Sequence, residues 1–233
     1  MAELILYQGP SGSGKTSSIR NLNPETTYII TPNTKGLSLP GASKNYQFGK
    51  NMLRTSEINH LAGCIQQISA AEHIKTLIIE DFTHFFSARI FSSAFLSQDS
   101  GNAAFQRWQE FGADVFQAMF SEADKLREDL DIVFLHHTEL KDTGEIGFKS
   151  PGNLLDKAID VPSYFTYIFH GVLQQEGDDT FYRMQTNKAA GRAAKTPVGS
   201  FPDLYIPNDL KAVLDRIADY KAGNIDPNDI QWK

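Results

Sequence analysis

The fold is decided by the stretch GPSGSGKT, residues 9–16. It follows the apolar run LILY at residues 4–7, which predicts a strand covered on both faces. Helical character resumes at Lys15 and ends near Pro24, because a proline disfavours helical backbone in the residue before it. A strand, a glycine-rich loop and a helix in this order predict the first unit of an α/β fold.

The glycine-rich loop matches the pattern G-x-x-x-x-G-K-[ST], which is typical of a phosphate-binding loop. Glycines allow positive φ and bring several N–H groups to one phosphate, and the following helix contributes its positive end. We expect Lys15 to reach the β- and γ-phosphates and the Thr16 hydroxyl to ligate Mg²⁺. The predicted nucleotide-binding residues are Gly9, Pro10, Ser11, Gly12, Ser13, Gly14, Lys15, Thr16 and Ser17. The alternative, a glycine-rich turn without a ligand, is disfavoured by the flanking strand and helix.

Strands and helices alternate through the rest of the chain. Further strands are predicted at residues 27–31, 76–79 and 132–135. Amphipathic helices are predicted from about Thr55 and over residues 103–126. A hairpin is predicted by residues 164–173 and 180–186, after a flexible loop at 142–153. Asn208 is a candidate N-cap for a final helix.

This order predicts an α/β fold with a mainly parallel central sheet, flanking helices and a C-terminal hairpin. With 233 residues, of which 41% are hydrophobic, the chain fits one domain at residues 1–222 and a polar tail at 223–233.

Charge and composition restrict the class of partner and the location. The net charge of −6 excludes bulk nucleic-acid binding, so any such contact needs a local basic stretch. Cys64 is the single cysteine, which excludes an internal disulfide. No run is apolar enough to span a membrane and the start lacks a secretory signal, so a cytoplasmic location is expected.

Two acidic residues, Glu80 and Asp81, follow the strand predicted at residues 76–79. A phosphate-binding loop needs a carboxylate at the end of a neighbouring strand to hold hydrated Mg²⁺. Because side chains alternate along a strand, only one of the two is expected to face the nucleotide. We expect Asp81 to hold Mg²⁺ together with Thr16. Glu80 is then either a water-polarising base or a structural acid.

Two histidines, His136 and His137, follow the strand predicted at residues 132–135. The carboxyl ends of central strands are where α/β sheets bind ligands. We therefore expect His137 to contact the γ-phosphate or the attacking water, and a role in local packing is the alternative. For His136, a role in local packing is the preferred interpretation. The expected catalytic residues are Lys15, Glu80 and His137.

The stretch NKAAGRAAK at residues 187–195 concentrates basic charge in an acidic chain. Its cations are Lys188, Arg192 and Lys195. Three interpretations remain open: a cation placed on the γ-phosphate of a neighbouring subunit, a contact with a nucleic-acid backbone, or a solvated mobile loop.

Four stretches together carry a resemblance: GPSGSGKT at 9–16, LIIED at 77–81, FLHHTE at 134–139 and KTPVGSFPDLYIPNDL at 195–210. The chain resembles the RecA-like core of the additional-strand class of P-loop ATPases. More narrowly, it is similar to bacteriophage RecA-like proteins of single-strand annealing and homologous recombination. For a phage protein, the expected location is the host cytoplasm.

The resemblance implies ATP and Mg²⁺ as cofactors and a strand inserted between the phosphate-loop strand and the acidic strand. It implies homo-oligomers, as rings or filaments, in which Lys188 acts on a neighbour's ATP. Single-stranded DNA is the implied partner, with a single-strand DNA-binding protein as a further candidate. The candidate DNA contacts are Lys141, Lys149 and Lys157.

The leading hypothesis is thus an ATP-hydrolysing RecA-like protein acting on single-stranded DNA. Residues 27–36 lack the acid that RecA-like enzymes carry near the second strand, so a nucleotide-gated binding or scaffold protein with little turnover remains an alternative. A P-loop kinase acting on a nucleotide or small acceptor is the other alternative, and for it Arg183 and Arg192 are the candidate lid residues.

Overall fold

The computed structural model describes residues 2–96, 102–120 and 123–225. The predicted polar tail at 223–233 lies outside the described residues from position 226 on, and so do residues 121–122 of the helix predicted at 103–126.

Within those ranges, nine strands form one mixed sheet. They are β1 (Glu3–Gly9), β2 (Thr27–Thr31), β3 (Met52–Arg54), β4 (Thr76–Ile79), β5 (Asp131–Leu140), β6 (Ile146–Phe148), β7 (Tyr167–Glu176), β8 (Asp179–Gln185) and β9 (Tyr205–Pro207). The order is β3-β2-β4-β5-β1-β7-β8-β9, with β6 paired to β5. Neighbours from β3 to β7 are parallel, whereas β7-β8, β8-β9 and β5-β6 are antiparallel.

The described α-helices are α1 (Ala42–Asn45), α2 (Ile58–Ser69), α3 (Phe82–Ile90), α4 (Ser93–Leu96), α5 (Asn102–Met119), α6 (Asn153–Ala158) and α7 (Leu210–Lys221). Short 3-10 helices occur at Thr16–Asn21, Ala123–Lys125 and Val161–Tyr164. Of the helices described, none combines the length and apolar character that crossing a membrane requires.

The central strands are apolar on both sides because each face of the sheet is covered. Helices α2, α3 and α5 pack on one face, and α7 and the 3-10 helix Thr16–Asn21 pack on the other. In β1, for example, Leu4 and Leu6 belong to the first core cluster, whereas Ile5 and Tyr7 belong to the second. The predicted α/β class, with a mainly parallel sheet, flanking helices and a hairpin of β7 and β8, is confirmed.

The inserted strand expected from the resemblance is present. β5 lies between β1 and β4, and all three run parallel. Because parallel strands end at the same edge, this order brings the residues after β1 and β4 to one side of the molecule, with the carboxyl half of β5 between them.

Two predictions near β5 are wrong. The strand does not end at Leu135 but continues to Leu140, so His136 and His137 lie within it. The loop predicted at residues 142–153 contains β6, which pairs with residues 138–140 of β5. The antiparallel partner supplies hydrogen bonds for the polar second half of β5, and this pairing cannot be read from local hydrophobicity.

Two helix predictions also need correction. The helix expected from Lys15 is a six-residue 3-10 helix that begins at Thr16. The final helix is capped by Asp209, whose side chain accepts a hydrogen bond from the Lys211 N–H, and not by Asn208. Asn208 instead turns toward the glycine-rich loop, as described below.

Candidate functional site

A cleft of about 390 Å³ lies at the carboxyl edge of the parallel strands. The glycine-rich loop forms its floor, and the loop after β2, the end of β4 and strands β5 and β8 contribute its walls. The lining residues are Ser11, Gly12, Gly14, Lys15, Thr16, Ser17, Asn33, Lys35, Gly36, Leu37, Ser38, Glu80, Asp81, Leu135, His137 and Tyr182. The structure therefore brings the predicted loop, both acids and His137 together.

The glycine-rich loop is held in a conformation that requires glycine. Gly12 and Gly14 have φ values of 80° and 86°. A Cβ on Gly14 would also lie only 2.5 Å from Asn208 Nδ2. Among the described residues, none accepts a hydrogen bond from the backbone N–H groups of Gly12, Gly14, Lys15 or Thr16. Such a set of unpaired N–H groups forms a cradle suited to an anion.

Lys15 lies across the loop with its ammonium group largely buried. Its Nζ donates to the carbonyl oxygens of Gly9 and Pro10, both at 2.8 Å. Burial lowers the pKa of Lys15 to about 8, and the nearby carboxylates of Asp81 and Glu80 oppose this shift. A bound anion would favour the charged form of this amine further.

Glu80 is hydrogen-bonded by three groups from two segments of the chain. Its Oε1 accepts from Thr16 Oγ1 at 3.1 Å, and its Oε2 accepts from Thr31 Oγ1 at 2.9 Å and from Asn33 Nδ2 at 3.3 Å. The sequence paired Thr16 with Asp81, whereas the structure pairs Thr16 with Glu80. Glu80 also reaches the end of β2, where the sequence itself provides no acid.

Asp81 faces the same cleft with different partners. Its Oδ2 accepts from Asn33 Nδ2 at 2.9 Å and lies 2.6 Å from His84 Nδ1. Its Oδ1 lies 3.5 Å from His137 Nε2 and has no hydrogen-bond partner among the described residues. Burial alone would raise the pKa of Asp81, but contacts with His137, Asn33 and His84 outweigh it and hold the pKa below the usual range.

Both acids reach the cleft because the strand has ended before them. β4 stops at Ile79, and Asp81 has a φ of 54°, in the left-handed region. The expectation that only one acid faces the cleft assumed regular strand geometry, and it is wrong for this reason. A left-handed aspartate is uncommon and is consistent with a backbone held in place by its surroundings.

His136 and His137 lie on opposite sides of β5. His137 lines the cleft, whereas His136 is fully buried and stacks on the Phe148 ring at 3.8 Å. The hydroxyl of Thr83 accepts from the His137 N–H at 2.9 Å and lies 3.2 Å from His136 Nδ1. His136 Nε2 lies 2.8 Å from the Lys149 carbonyl oxygen, which can only accept, so Nε2 carries the proton. Burial lowers the pKa of His136 to about 3, and its role is packing.

Asn208 is a site residue that sequence reasoning missed. Its Nδ2 donates to the Gly14 carbonyl at 2.9 Å, and its Oδ1 accepts from the Tyr7 hydroxyl at 2.7 Å. Its backbone N–H donates to the Tyr182 carbonyl at 3.3 Å. One buried amide thus joins the glycine-rich loop to β1 and β8. Its local sequence signal, a polar residue before a helix, pointed to a cap instead.

Asn33 and Tyr182 were missed as well. Asn33 bridges the two acids, and Tyr182 packs beside Gly14, where a Cβ would lie 2.7 Å from Tyr182 Cδ1. Neither belongs to a motif. Only the strand order brings the loop after β2 and strand β8 to the same cleft.

The three basic residues proposed to act between subunits do not line their own cleft. Lys188 forms an ion pair with Glu145 at 2.6 Å, Arg192 is half-buried and Lys195 is exposed. The loop that carries them is anchored to the sheet. Gln185 Nε2 donates to the carbonyl oxygens of three loop residues, and Gln8 Nε2 donates to that of Ala193. These contacts do not favour the solvated mobile loop.

The three lysines proposed to contact DNA have different surroundings. Lys141 pairs with Glu139 at 2.8 Å and lies 3.5 Å from Asp156. Lys157 lines another surface cavity, and Lys149 is exposed beside β6.

The polar groups of the cleft fit a hydrated Mg²⁺ ion bound together with phosphate. Within the described ranges, no group of three or more His, Cys, Asp and Glu residues could hold a metal by itself. Mg²⁺ usually needs only one or two carboxylates, because phosphates and water supply the other ligands. The Thr16 hydroxyl and the carboxylates of Glu80 and Asp81, all from residues that line the cleft, match that requirement.

Comparison with known proteins adds no assignment to this geometry. No protein-family model matches the chain, and no curated protein matches it either.

Proposed function

We propose that this chain is a Mg-ATP-binding, ATP-hydrolysing protein with a RecA-like core that acts on single-stranded DNA. One observation carries the nucleotide part. The loop with unpaired N–H groups, the buried Lys15 and the Thr16–Glu80 pair meet in a single cleft. An anion cradle beside a cation and a carboxylate is the arrangement that a metal-bound triphosphate requires.

The loop and Lys15 bind the triphosphate. Backbone N–H groups of the loop donate to phosphate oxygens, and Lys15 exchanges the carbonyls of Gly9 and Pro10 for the terminal phosphates. The short 3-10 helix after the loop has a smaller dipole than a full α-helix, so the loop N–H groups contribute most of the anion binding.

In this proposal, Glu80 and Thr16 would hold Mg²⁺. This reverses the roles expected from the sequence, in which Asp81 holds Mg²⁺ and Glu80 is a water-polarising base or a structural acid. Mg²⁺, when bound, neutralises charge on the phosphate oxygens. The Thr16–Glu80 contact supports Glu80 as the carboxylate on that side.

Asp81 and His137 then orient the attacking water. Asp81 and His137 both line the cleft, with Asp81 Oδ1 3.5 Å from His137 Nε2, so the two side chains are close enough to present an acceptor and a donor to one water. Because the pKa of Asp81 is held low, its carboxylate stays ionised. It can accept a hydrogen bond from the water and so orient it, but it does not take up the water's proton. Orientation is the main requirement, since phosphoryl transfer needs positioning more than covalent chemistry.

The position of β5 between β1 and β4 supports the RecA-like core. Homo-oligomers remain part of the proposal: Lys188, Arg192 and Lys195 do not line their own cleft, so in this proposal they act on the ATP of a neighbouring subunit. Of the two arginines that a kinase lid would use, Arg183 lies over the Phe181 ring at 5.3 Å and neither lines the cleft. Hence the position of neither arginine favours a kinase.

The test is ATP turnover with and without single-stranded DNA, at several protein concentrations. We expect DNA to stimulate turnover and turnover per chain to rise with concentration as subunits assemble. Lys15→Ala is the control and should abolish ATP affinity; unchanged binding in that variant would overturn the nucleotide assignment.

A direct measurement of the binding of labelled single-stranded DNA at low salt tests the DNA part of the proposal. Absence of binding with and without ATP would remove the DNA part. Tight ATP binding with phosphate release at background would favour the nucleotide-gated scaffold instead.

A further inference from the structure

Tyr182 is an exposed aromatic residue in a cleft that is otherwise mostly polar. It lies on β8, and 49% of its surface is accessible. Its ring packs beside Gly14, and its carbonyl oxygen accepts from the Asn208 N–H, the residue that also binds the Gly14 carbonyl. The ring is therefore held against the phosphate loop, while about half of the residue remains accessible.

The strand order places Tyr182 on the side of the loop opposite the acids. The sequence of strands is β4-β5-β1-β7-β8, so the loop after β1 lies between Glu80 and Asp81 on one side and Tyr182 on the other. With neighbouring strands about 4.8 Å apart, β8 lies roughly 10 Å from β1. If the terminal phosphate points toward Glu80 and Asp81, the nucleoside at the other end of the triphosphate lies on the side of β8.

We infer that Tyr182 forms the base subsite of the nucleotide, where its ring stacks on the base of a nucleoside triphosphate. This inference rests on the proposed function and deepens it. Stacking uses the π-face that every base has, so Tyr182 favours nucleotides over bare polyphosphate and does not choose adenine over guanine. The exposure of Tyr182 and the packing of its ring against the loop are the two observations that support such a subsite.

The experiment compares the affinities of the full chain for ATP, GTP and inorganic tripolyphosphate, measured by calorimetry with Mg²⁺ present. We expect Tyr182→Ala to weaken ATP and GTP binding about tenfold or more, and to leave tripolyphosphate binding nearly unchanged. Tyr182→Phe should behave like the wild type. Tyr164→Ala is the matched control, since Tyr164 is similarly exposed, 44% against 49%, and lies outside the cleft.

A second readout does not depend on a loss of affinity. In Tyr182→Trp, ATP should quench the new indole fluorescence beyond the wild-type background, and tripolyphosphate should not. Quenching by ATP alone supports the stacked base; equal responses to the two ligands overturn it.

Different failures have different meanings. Equal losses for ATP and tripolyphosphate in Tyr182→Ala would show that the ring only packs the loop. Unchanged ATP affinity in that variant, with wild-type binding intact and Lys15→Ala inactive, would overturn the base subsite alone. A wild type that binds neither ATP nor tripolyphosphate would overturn the proposed function and the subsite together.

Discussion

Glu80 and Asp81 are adjacent in sequence, but their carboxylates have separate partners. Glu80 contacts the Thr16 hydroxyl and the end of β2, whereas Asp81 contacts two histidines and Asn33. At the scale of single residues, these different partners support the different tasks proposed for the two acids, metal binding for Glu80 and water orientation for Asp81.

The first prediction separates these tasks. Glu80→Gln should remove most of the gain in ATP affinity that Mg²⁺ provides, because the amide is neutral. Asp81→Asn should bind ATP nearly as well as the wild type and lower turnover by about 100-fold or more. Affinity measured with Mg²⁺ and with a chelator, together with single-turnover rates, checks both. The reverse pattern would restore the pairing of Thr16 with Asp81 that the sequence suggests.

Among the secondary-structure elements, the connection between the glycine-rich loop, β1 and β8 depends on one amide. Asn208→Ala leaves the buried Tyr7 hydroxyl without its acceptor and the Gly14 carbonyl without its donor. We expect a loss of about 1–3 kcal/mol in the free energy of unfolding, accompanied by weaker ATP binding. Denaturant unfolding and calorimetry measure the two effects.

The control for Asn208 is Asn224→Ala, which removes an exposed asparagine beyond α7. A variant at 208 that is as stable and binds as tightly as this control would show that the loop does not need the amide.

The basic loop is an element whose order depends on the sheet beneath it. Gln185 donates to the carbonyls of Asn187, Ala189 and Arg192. Replacing it by alanine removes these contacts and lowers the cost of local opening. We expect Gln185→Ala to be cut by trypsin after Lys188 and Arg192 about ten times faster than the wild type. Gln174→Ala, in the neighbouring strand, should not change the rate; equal cleavage of all three proteins would show that the loop is mobile regardless of Gln185.

For the whole molecule, buried titratable groups predict how stability depends on pH. Burial lowers the pKa of His136 to about 3 and that of His170 to about 4. Below about pH 6.5 the unfolded chain binds protons at these rings that the folded chain excludes, so stability falls as the pH decreases from 6.5 toward 3. His136 alone accounts for about 2 kcal/mol at pH 5.

Asp131 opposes this trend over part of the range. Burial raises its pKa to about 6, so its carboxylate costs stability above that pH, and acidification from 6 toward 3.8 relieves the cost. The loss of stability from His136 and His170 on acidification is larger than the gain from Asp131. We therefore expect the free energy of unfolding to be lower at pH 5 than at pH 7. Denaturant unfolding at both values checks this: His170→Gln should reduce the difference, and exposed His60→Gln should not. A difference of zero in the wild type would contradict the assignment of neutral buried rings.

Much of the fold and part of the site follow from local sequence. The apolar run at residues 4–7, the loop at 9–16 and the run before Glu80 predict parallel strands that end in polar residues, because buried strands must be apolar on both faces. The glycines at 12 and 14 predict the loop conformation, since only glycine adopts positive φ without strain.

The tertiary structure alone decides which polar groups meet. Whether Glu80 or Asp81 faces Thr16 depends on where β4 stops, and the extension of β5 depends on its pairing with β6. Tyr182 lines the cleft and Asn208 contacts the Gly14 carbonyl, although both lie far from the loop in sequence; the strand order brings them there. Local sequence was sufficient to predict a strand, a loop able to cradle phosphate and the acids beside it. The partners of those groups were set by long-range packing, because no local pattern records which distant side chain will lie within hydrogen-bonding distance.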